Sequence, residues 1–298
     1  MHMMKLGLAL LLFSCSASSW AAVDLGQFVR KDEFNEIKLS PTGKYYAATV
    51  PLEDKTALVI FTREGNKQTG MFVPSRNAHV NTFDWVNDER VLIGIAEKFG
   101  QLDQPRLTGE LYAINADGGQ AELLVGFRVQ GNGLGTRIQP KKVESVAAFL
   151  VDGLPADDRN VVVSTWPLGT MEPFTRAERL DVNSGRRTVA ATVPVRNASF
   201  VTDNTGEVRL ALGSGLDNIS KLYYRDAAGT DWRLINDQGA DGRIEEPLGF
   251  SADNNVAYLR VRGDGRGPDS IVARNPATKA RTTVLRDDSA DPWSIIYR

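Results

Sequence analysis

The chain has 298 residues, of which 42% are hydrophobic and 24% are charged. This composition is ordinary for a globular protein and excludes a chain that is disordered throughout. Lys and Arg number 35 against 37 for Asp and Glu, which gives a net charge of -2. A basic surface is the usual mark of a nucleic-acid partner or an anionic membrane partner, so the charge balance gives no reason to expect either.

The first 21 residues have the pattern of a secretory signal peptide. Met1–Lys5 carry one positive charge, Leu6–Phe13 form an apolar run, and small residues follow. Small residues at Ser19 and Ala21 predict cleavage after Ala21, and therefore an exported protein, periplasmic or secreted. A buried N-terminal strand or helix is the alternative. The run is too short for a bilayer, which needs about 20 apolar residues, and no later segment is long enough, so we expect no membrane span.

Cys15 is the only cysteine, and it lies within this signal. The preceding Leu12-Phe13-Ser14 loosely matches a bacterial lipoprotein processing site, although Phe13 is bulkier than the residue usual there. Lipid anchoring through Cys15 is therefore a minor alternative. Cleavage after Ala21 would leave no thiol, which excludes disulfides and Cys-ligated metals.

A repeat dominates the rest of the sequence. Five times, a polar turn leads into an apolar or alternating strand, and these strands begin at residues 45, 91, 161, 208 and 256. The spacings are 46, 70, 47 and 48 residues, and most of them are close to the length of a propeller blade. The turns are Ser40–Lys44, Asn87–Arg90, Asp157–Asn160, Asp203–Glu207 and Asp253–Asn255.

Each unit also has one strand before this strand and a hairpin after it, which gives four antiparallel strands. Their turns are rich in Gly and Asn, which tolerate the positive φ that tight hairpins need. The sequence therefore predicts an all-β fold, a β-propeller of four-stranded antiparallel blades, with about five blades in an incomplete ring. The predicted propeller domain is 22–298, with blades at 34–73, 80–125, 143–193, 197–236 and 244–286.

The spacing of 70 residues predicts an insertion loop at 126–142, which is Gly-rich, basic and poorly periodic. Within it, Gly131–Gly135 is similar to a phosphate-binding loop but lacks the helix that should follow. A flexible connection is therefore the better interpretation. Helical periodicity is nearly absent, and a short helix is considered only at Lys31–Glu36.

Catalytic motifs are scarce in this sequence. No Gly-x-Ser-x-Gly elbow occurs, and the nearest segment, Gly213-Ser214-Gly215, follows a strand with no helix after it. His79 is the only histidine outside the signal. A hydrogen-bonded histidine in a connection between blades fits it better than a triad member. We assign no catalytic residue, no cofactor and no metal ligand.

Clustered aspartates and tryptophans have structural explanations as well as functional ones. Both aspartate groups could offer oxygen ligands to Ca²⁺ but lack the spacing of a calcium loop, so solvated turn acids explain them better. They are Asp152, Asp157 and Asp158, and Asp287, Asp288 and Asp291. Four tryptophans outside the predicted signal lie in or beside strands, which favours packing between blades over a ligand cage. They are Trp85, Trp166, Trp232 and Trp293.

Three segments, in their order along the chain, resemble the N-terminal propeller of the prolyl oligopeptidase (S9) family of serine peptidases, in particular its exported bacterial dipeptidyl and acylaminoacyl peptidases. They are Ser40–Tyr45, Phe83–Leu92 and Pro247–Asp253, and the resemblance covers about 28–298. The first turn alone is only moderately specific, because TolB-like propellers use it too.

The resemblance implies a propeller that filters peptide access to an α/β-hydrolase domain. Such a domain needs roughly 200 further residues, and the resemblance assigns none of this sequence to it. Glu245-Glu246 is an acidic pair of the kind that anchors a substrate amino terminus in dipeptidyl peptidases. Its surroundings differ from that motif, so the role is not transferred.

We therefore expect the non-catalytic propeller portion of an exported S9-like peptidase, with peptides or a hydrolase domain supplied elsewhere as its partners. The alternative is a periplasmic TolB-like propeller that acts as a protein-interaction module. Five blades from a larger ring would leave strand edges open, so we also expect self-association through those edges.

Overall fold

The computed structural model describes residues 33–100, 104–127, 139–140, 144–227, 229–263 and 267–292. The predicted signal peptide at 1–21, Cys15, Gly131–Gly135 and Trp293 lie outside these residues. By its internal contacts the chain divides into two units, Met1–Glu33 and Phe34–Arg298, and all strands of the described residues lie in the second. Among the described residues, no helix is long and apolar enough to cross a membrane.

The second unit is built from five four-stranded antiparallel blades, which confirms the predicted all-β propeller. The first blade contains β1 (Ile37–Leu39), β2 (Tyr45–Pro51), β3 (Thr56–Thr62) and β4 (Gln68–Phe72), and the second contains β5 (Ala78–Trp85), β6 (Arg90–Glu97), β7 (Arg106–Asn115) and β8 (Glu122–Val125). The third contains β10 (Val146–Asp152), β11 (Asn160–Pro167), β12 (Arg176–Asp181) and β13 (Arg187–Thr192), and the fourth contains β14 (Ser199–Thr202), β15 (Val208–Gly213), β16 (Lys221–Tyr224) and β17 (Arg233–Asp237). The fifth contains β18 (Ile244–Phe250), β19 (Ala257–Arg262), β20 (Ser270–Arg274) and β21 (Arg281–Arg286).

Two parallel pairings add to this plan. A single bridge between Thr56 and His79 joins β3 to β5, and so connects the first blade to the second. The short strand β9 (Gln139–Pro140), inside the predicted insertion, pairs with β8 at the outer edge of the second blade. The insertion therefore contributes a strand, which its irregular sequence did not indicate.

In the described part of the chain, helical structure is confined to one turn, which lies outside Lys31–Glu36. Residues 33–36 are not helical, because the Asn35 amide donates to the Thr49 carbonyl at 3.0 Å and the Thr49 amide donates to the Glu36 carbonyl at 3.0 Å. These bonds extend the pairing of β1 with β2. The observed helix is α1 (Gln238–Asp241), which is capped by Asp237 and ends at Gly242 with a φ of 66°.

Four clusters of buried apolar side chains lie between neighbouring blades and hold them together. Each cluster contains residues of two adjacent blades, for example Ile60 and Phe83, Leu111 and Leu180, Val162 and Phe200, and Leu222 and Leu259. Burial of each such side chain contributes about 1.5–3 kcal/mol. Among the described residues, no core cluster and no hydrogen bond joins the fifth blade to the first.

The antiparallel order gives the propeller two chemically different faces. Turns within the two hairpins of each blade lie on one side, which we call the hairpin face. Connections from the second strand to the third, and from one blade to the next, lie on the other side, which we call the long-loop face. Its completely described connections are 52–55, 73–77, 168–175, 193–198, 214–220 and 238–243.

Candidate binding face and interblade cleft

His79 and Ser214 do not form a catalytic pair. His79 is the second residue of β5, and its Nδ1 lies 3.0 Å from the Thr56 hydroxyl. Burial, and then the charge of Lys98, lower the pKa of this imidazole. Ser214 lies two blades away, where its amide donates to the Arg196 carbonyl. His79 is therefore a hydrogen-bonded histidine as expected, although it lies in a strand and not in a connection.

The predicted aspartate groups act locally as turn acceptors. Asp157 accepts the amides of Arg159 and Asn160, and Asp287 accepts those of Ser289 and Ala290. Asp152 accepts the Thr202 hydroxyl of the next blade at 2.5 Å. In the described part of the chain, no three His, Cys, Asp or Glu side chains are grouped so that they could hold a metal ion.

The acidic pair Glu245-Glu246 is split between two environments. Glu245 is fully buried, and its carboxylate contacts the guanidinium groups of Arg243, Arg274 and Arg281. Glu246 is partly exposed and pairs with Arg262 at 2.7 Å. Successive residues of a strand point to opposite sides of a sheet, so the two carboxylates do not converge on one ligand.

Two tryptophans bridge adjacent blades. Trp85 of the second blade donates its indole N–H to the Lys38 carbonyl of the first at 3.1 Å and stacks on Tyr45. Trp232 of the fourth blade donates to the Thr192 carbonyl of the third at 2.6 Å. Trp166 instead packs edge-on against Phe149 within its own blade.

Exposed apolar side chains mark the long-loop face. Seven large hydrophobic residues in these connections are exposed, and among the described residues the hairpin turns contain none. Four of the seven lie in connections of the third and fourth blades, where Met171 is 87% and Leu216 is 70% exposed. A concentration of this kind is typical of a protein-binding surface. The seven are Leu52, Phe99, Phe127, Leu168, Met171, Phe174 and Leu216.

Polar hydrogen bonds occupy the hairpin face instead. Thr42 donates its amide to Asp88 at 3.0 Å and its hydroxyl at 2.5 Å, and these bonds hold the pKa of Asp88 below its ordinary value. The Asn87 amide group donates to the Asp158 carbonyl, and Asn204 donates to Asn254. These bonds link the turns of the first and second, the second and third, and the fourth and fifth blades, and they satisfy some of the polar groups of this face within the protein.

A cleft of about 340 Å³ opens on the long-loop face between the third and fourth blades. Connections 168–175, 193–198 and 214–220 form its walls, with Lys221 and Tyr223 of β16 beside them. Arg196 lies over the ring of Phe174, with 4.3 Å between the guanidinium carbon and the ring centroid. Its Nη1 donates to the Glu172 carbonyl at 2.6 Å. The cleft therefore combines an aromatic wall with a positioned cation.

The sequence contains one signal for this cleft, although it matches no functional motif. Residues 167–175 read PLGTMEPFT, a connection with Gly, Thr and two prolines, yet three large apolar side chains interrupt it. Apolar residues in a turn-rich loop have no core to enter and point to a partner. That Arg196 and Leu216 would meet them depends on the packing of two blades.

Comparisons with known proteins identify solved structures with a similar fold. No protein-family model matches the chain, and no curated protein matches it. A prolyl endopeptidase structure matches 86% of this chain with a TM-score of 0.55 and 13% identity, and is 37% covered. Dipeptidyl peptidase 4 of Porphyromonas gingivalis matches 88% with a TM-score of 0.53 and 8% identity, and is 40% covered. An oligogalacturonate lyase, solved with manganese, matches 84% with a TM-score of 0.50 and 13% identity, and is 68% covered.

The chain thus spans about two fifths of each peptidase chain. At these identities the similarity establishes the fold alone, and it confirms the predicted resemblance at that level. The chain has a β-propeller fold that is similar to parts of these three structures.

Proposed function

We propose that this chain is the propeller portion of an exported S9-like serine peptidase system, and that its long-loop face binds the hydrolase and controls peptide access to it. The observation that carries the proposal is the asymmetry of the two faces. Large apolar side chains are exposed on one face, whereas turns of the other face are hydrogen-bonded to one another. A surface of the first kind gains free energy when a protein covers it.

The first test combines capture with chemical identification. The tagged chain is expressed in its native host, isolated from the exported fraction, and treated with a serine-directed fluorophosphonate probe. We expect a labelled protein to co-purify with the chain, while the chain itself is not labelled. Labelling of the chain, or its own turnover of aminoacyl and peptidyl reporter substrates, would contradict the proposal.

Surface variants show whether the long-loop face makes the contact. The double variant Met171→Ser/Leu216→Ser removes two exposed apolar side chains from that face and should abolish co-purification of the labelled protein. Val284→Ser is the matched control, because Val284 is 55% exposed but lies in an outer strand. Equal capture by both variants would exclude the long-loop face as the contact.

The alternative is an interaction module without a peptidase. It uses the same apolar face but predicts a bound partner that the serine-directed probe does not label. Capture of such a partner, lost in Met171→Ser/Leu216→Ser, would favour it over the peptidase proposal. The two functions therefore differ in one readout of the same experiment.

Export itself is part of the proposal and rests on the signal pattern of residues 1–21. N-terminal sequencing of protein isolated from the host should begin at Ala22. Retention of Met1 in the isolated protein would contradict export by this route, and a lipid-modified Cys15 at the amino terminus would favour anchoring.

A further inference from the structure

The cleft between the third and fourth blades is a preformed pocket within the long-loop face. Hydrogen bonds join its three connections: the Asn197 amide donates to the Pro173 carbonyl at 2.9 Å, and the Ser214 amide donates to the Arg196 carbonyl at 3.0 Å. The side chain of Asn197 also donates to the Ser214 carbonyl at 3.0 Å. Connections fixed in this way lose little conformational entropy when they bind a ligand.

Arg196 is one of two cations that line this pocket, and it keeps unused hydrogen-bonding capacity. A guanidinium has five N–H donors, and the described hydrogen bond from this side chain uses only Nη1, toward the Glu172 carbonyl. Among the described residues, no carboxylate lies within ion-pair distance of it. The ring of Phe174 contacts the guanidinium, whose carbon lies 4.3 Å from the ring centroid.

The other charged side chains that line the cleft are Glu172, Asp217 and Lys221, and each has a neighbour within the protein. Glu172 accepts the Leu216 amide through its carboxylate, and Asp217 accepts the Ile219 amide at 3.1 Å. Lys221 lies 4.0 Å from Asp237, at the limit of an ion pair. Both carboxylates thus already hold a backbone N–H, whereas both cations have donors to spare. The cleft therefore favours an anionic group over a cationic one.

Apolar side chains form the rest of the wall. Phe174 and Leu216 stand at the rim, and Pro194, Val195 and Ile219 lie further along the wall. A volume of about 340 Å³ is at the lower end of ligand pockets and fits one or two residues rather than a folded element.

From these contacts we propose that the cleft binds a carboxylate next to an apolar side chain in the protein segment that docks on the long-loop face. This rests on the proposed function and adds the chemistry of the partner. The carboxylate accepts hydrogen bonds from the N–H groups of Arg196 that make no described hydrogen bond. The apolar side chain lies between Phe174 and Leu216. The site would select an acidic, apolar segment among those that could reach this face.

The test uses two blocked peptides that differ at one position. The probes are acetyl-Ala-Leu-Glu-Leu-Ala-amide and the same peptide with Gln in place of Glu, titrated into the whole chain by calorimetry at low salt. We expect the Glu peptide to bind about tenfold more tightly, because a charge-assisted hydrogen bond replaces a neutral one. Salt should reduce this preference, because the contact is partly exposed.

Two variants and a control identify the side chain responsible. Arg196→Gln should bring the two peptides to equal affinity, and Phe174→Ala should weaken both. Arg186→Gln, an exposed arginine of the hairpin face, should leave the preference unchanged. Equal affinity of both peptides for the unmodified chain, or an unchanged preference in Arg196→Gln, would overturn the proposal.

The outcome is separable from that of the proposed function. Capture of a labelled hydrolase without peptide discrimination would refute only the cleft. Peptide discrimination without a captured hydrolase would refute only the peptidase partner.

Discussion

The buried carboxylate of Glu245 lies 2.9 Å from the guanidinium of Arg274, and the same Arg274 nitrogen donates to the Ile235 carbonyl of the preceding blade at 2.9 Å. The pair therefore connects the fourth blade to the fifth. A buried charge is costly unless it is paired, so the arginines around Glu245 depend on it as much as it depends on them.

Replacing Glu245 with Gln should destabilise the protein by about 3 kcal/mol, because the arginines would lose their carboxylate partner in a buried site. Urea unfolding followed by tryptophan fluorescence gives the free energy of unfolding. Glu246→Gln is the matched control: its exposed ion pair with Arg262 should contribute less than about 1 kcal/mol. Similar losses in both variants would show that Glu245 is not a structural anchor.

A comparison of Gly109→Ala with Gly65→Ala distinguishes the stability cost of a steric clash from the cost of a positive φ. Their φ angles are nearly equal, at 76° and 75°, but a Cβ on Gly109 would meet the Ala147 Cβ at 2.2 Å, whereas on Gly65 it would meet nothing within 4 Å. Gly65→Ala should therefore cost about 1 kcal/mol through the positive φ alone. Gly109→Ala should cost about 3 kcal/mol, because the third blade must also shift.

Thermal unfolding of the two glycine variants under identical conditions makes the comparison. A larger fall in Tm for Gly109→Ala confirms close approach of the second and third blades. Equal falls would mean that the two blades are not in contact at this point.

Asp181 makes stability depend on acid pH. Burial opposes its charged form, but hydrogen bonds from the Asn183 amide, the Arg159 side chain and Ser184 outweigh burial and lower the pKa to about 2. The pKa in the unfolded chain is about 3.9. As the folded pKa is the lower one, the contribution to stability is complete above the unfolded pKa and is lost as the pH falls toward 2.

Asp181→Asn should therefore destabilise the protein by about 1 kcal/mol at pH 5 to 7, after allowance for solvent screening, and by less at pH 3. Urea midpoints of the wild type and the variant across this range give the difference. Asp158→Asn is the control, because it changes an exposed aspartate that makes none of these bonds. A difference for Asp181→Asn that grows on acidification would refute the assignment.

Strands were predictable because their signal is local. The repeating strand predicted at 45, 91, 161, 208 and 256 begins at 45, 90, 160, 208 and 257, since turn residues and alternating apolar side chains fix each hairpin without distant contacts. The helix considered at Lys31–Glu36 is not found in residues 33–36, the part of it that is described. Asn35 and Glu36 form backbone hydrogen bonds with Thr49 instead. Similarly, α1 is a single turn that is capped by Asp237, and it is too short to show the hydrophobic periodicity that predicts a helix.

The functional surface could not be read in the same way. Met171 and Leu216 are 45 residues apart, as are many pairs that never meet, and only the stacking of two blades brings their connections together. The same holds for Arg196: among the residues that the structure describes it has no carboxylate partner, which is a property of its surroundings and not of its neighbours in sequence.

By itself, the sequence determined the all-β class, the four-stranded repeat and about five blades, because strand periodicity and turn chemistry act over a few residues. The tertiary structure alone decided which face is apolar, that Glu245 is buried while Glu246 is not, and that Arg196, Phe174 and Leu216 share a cleft. Those properties arise where separate blades meet, and burial and charge pairing there depend on contacts between residues distant in the chain.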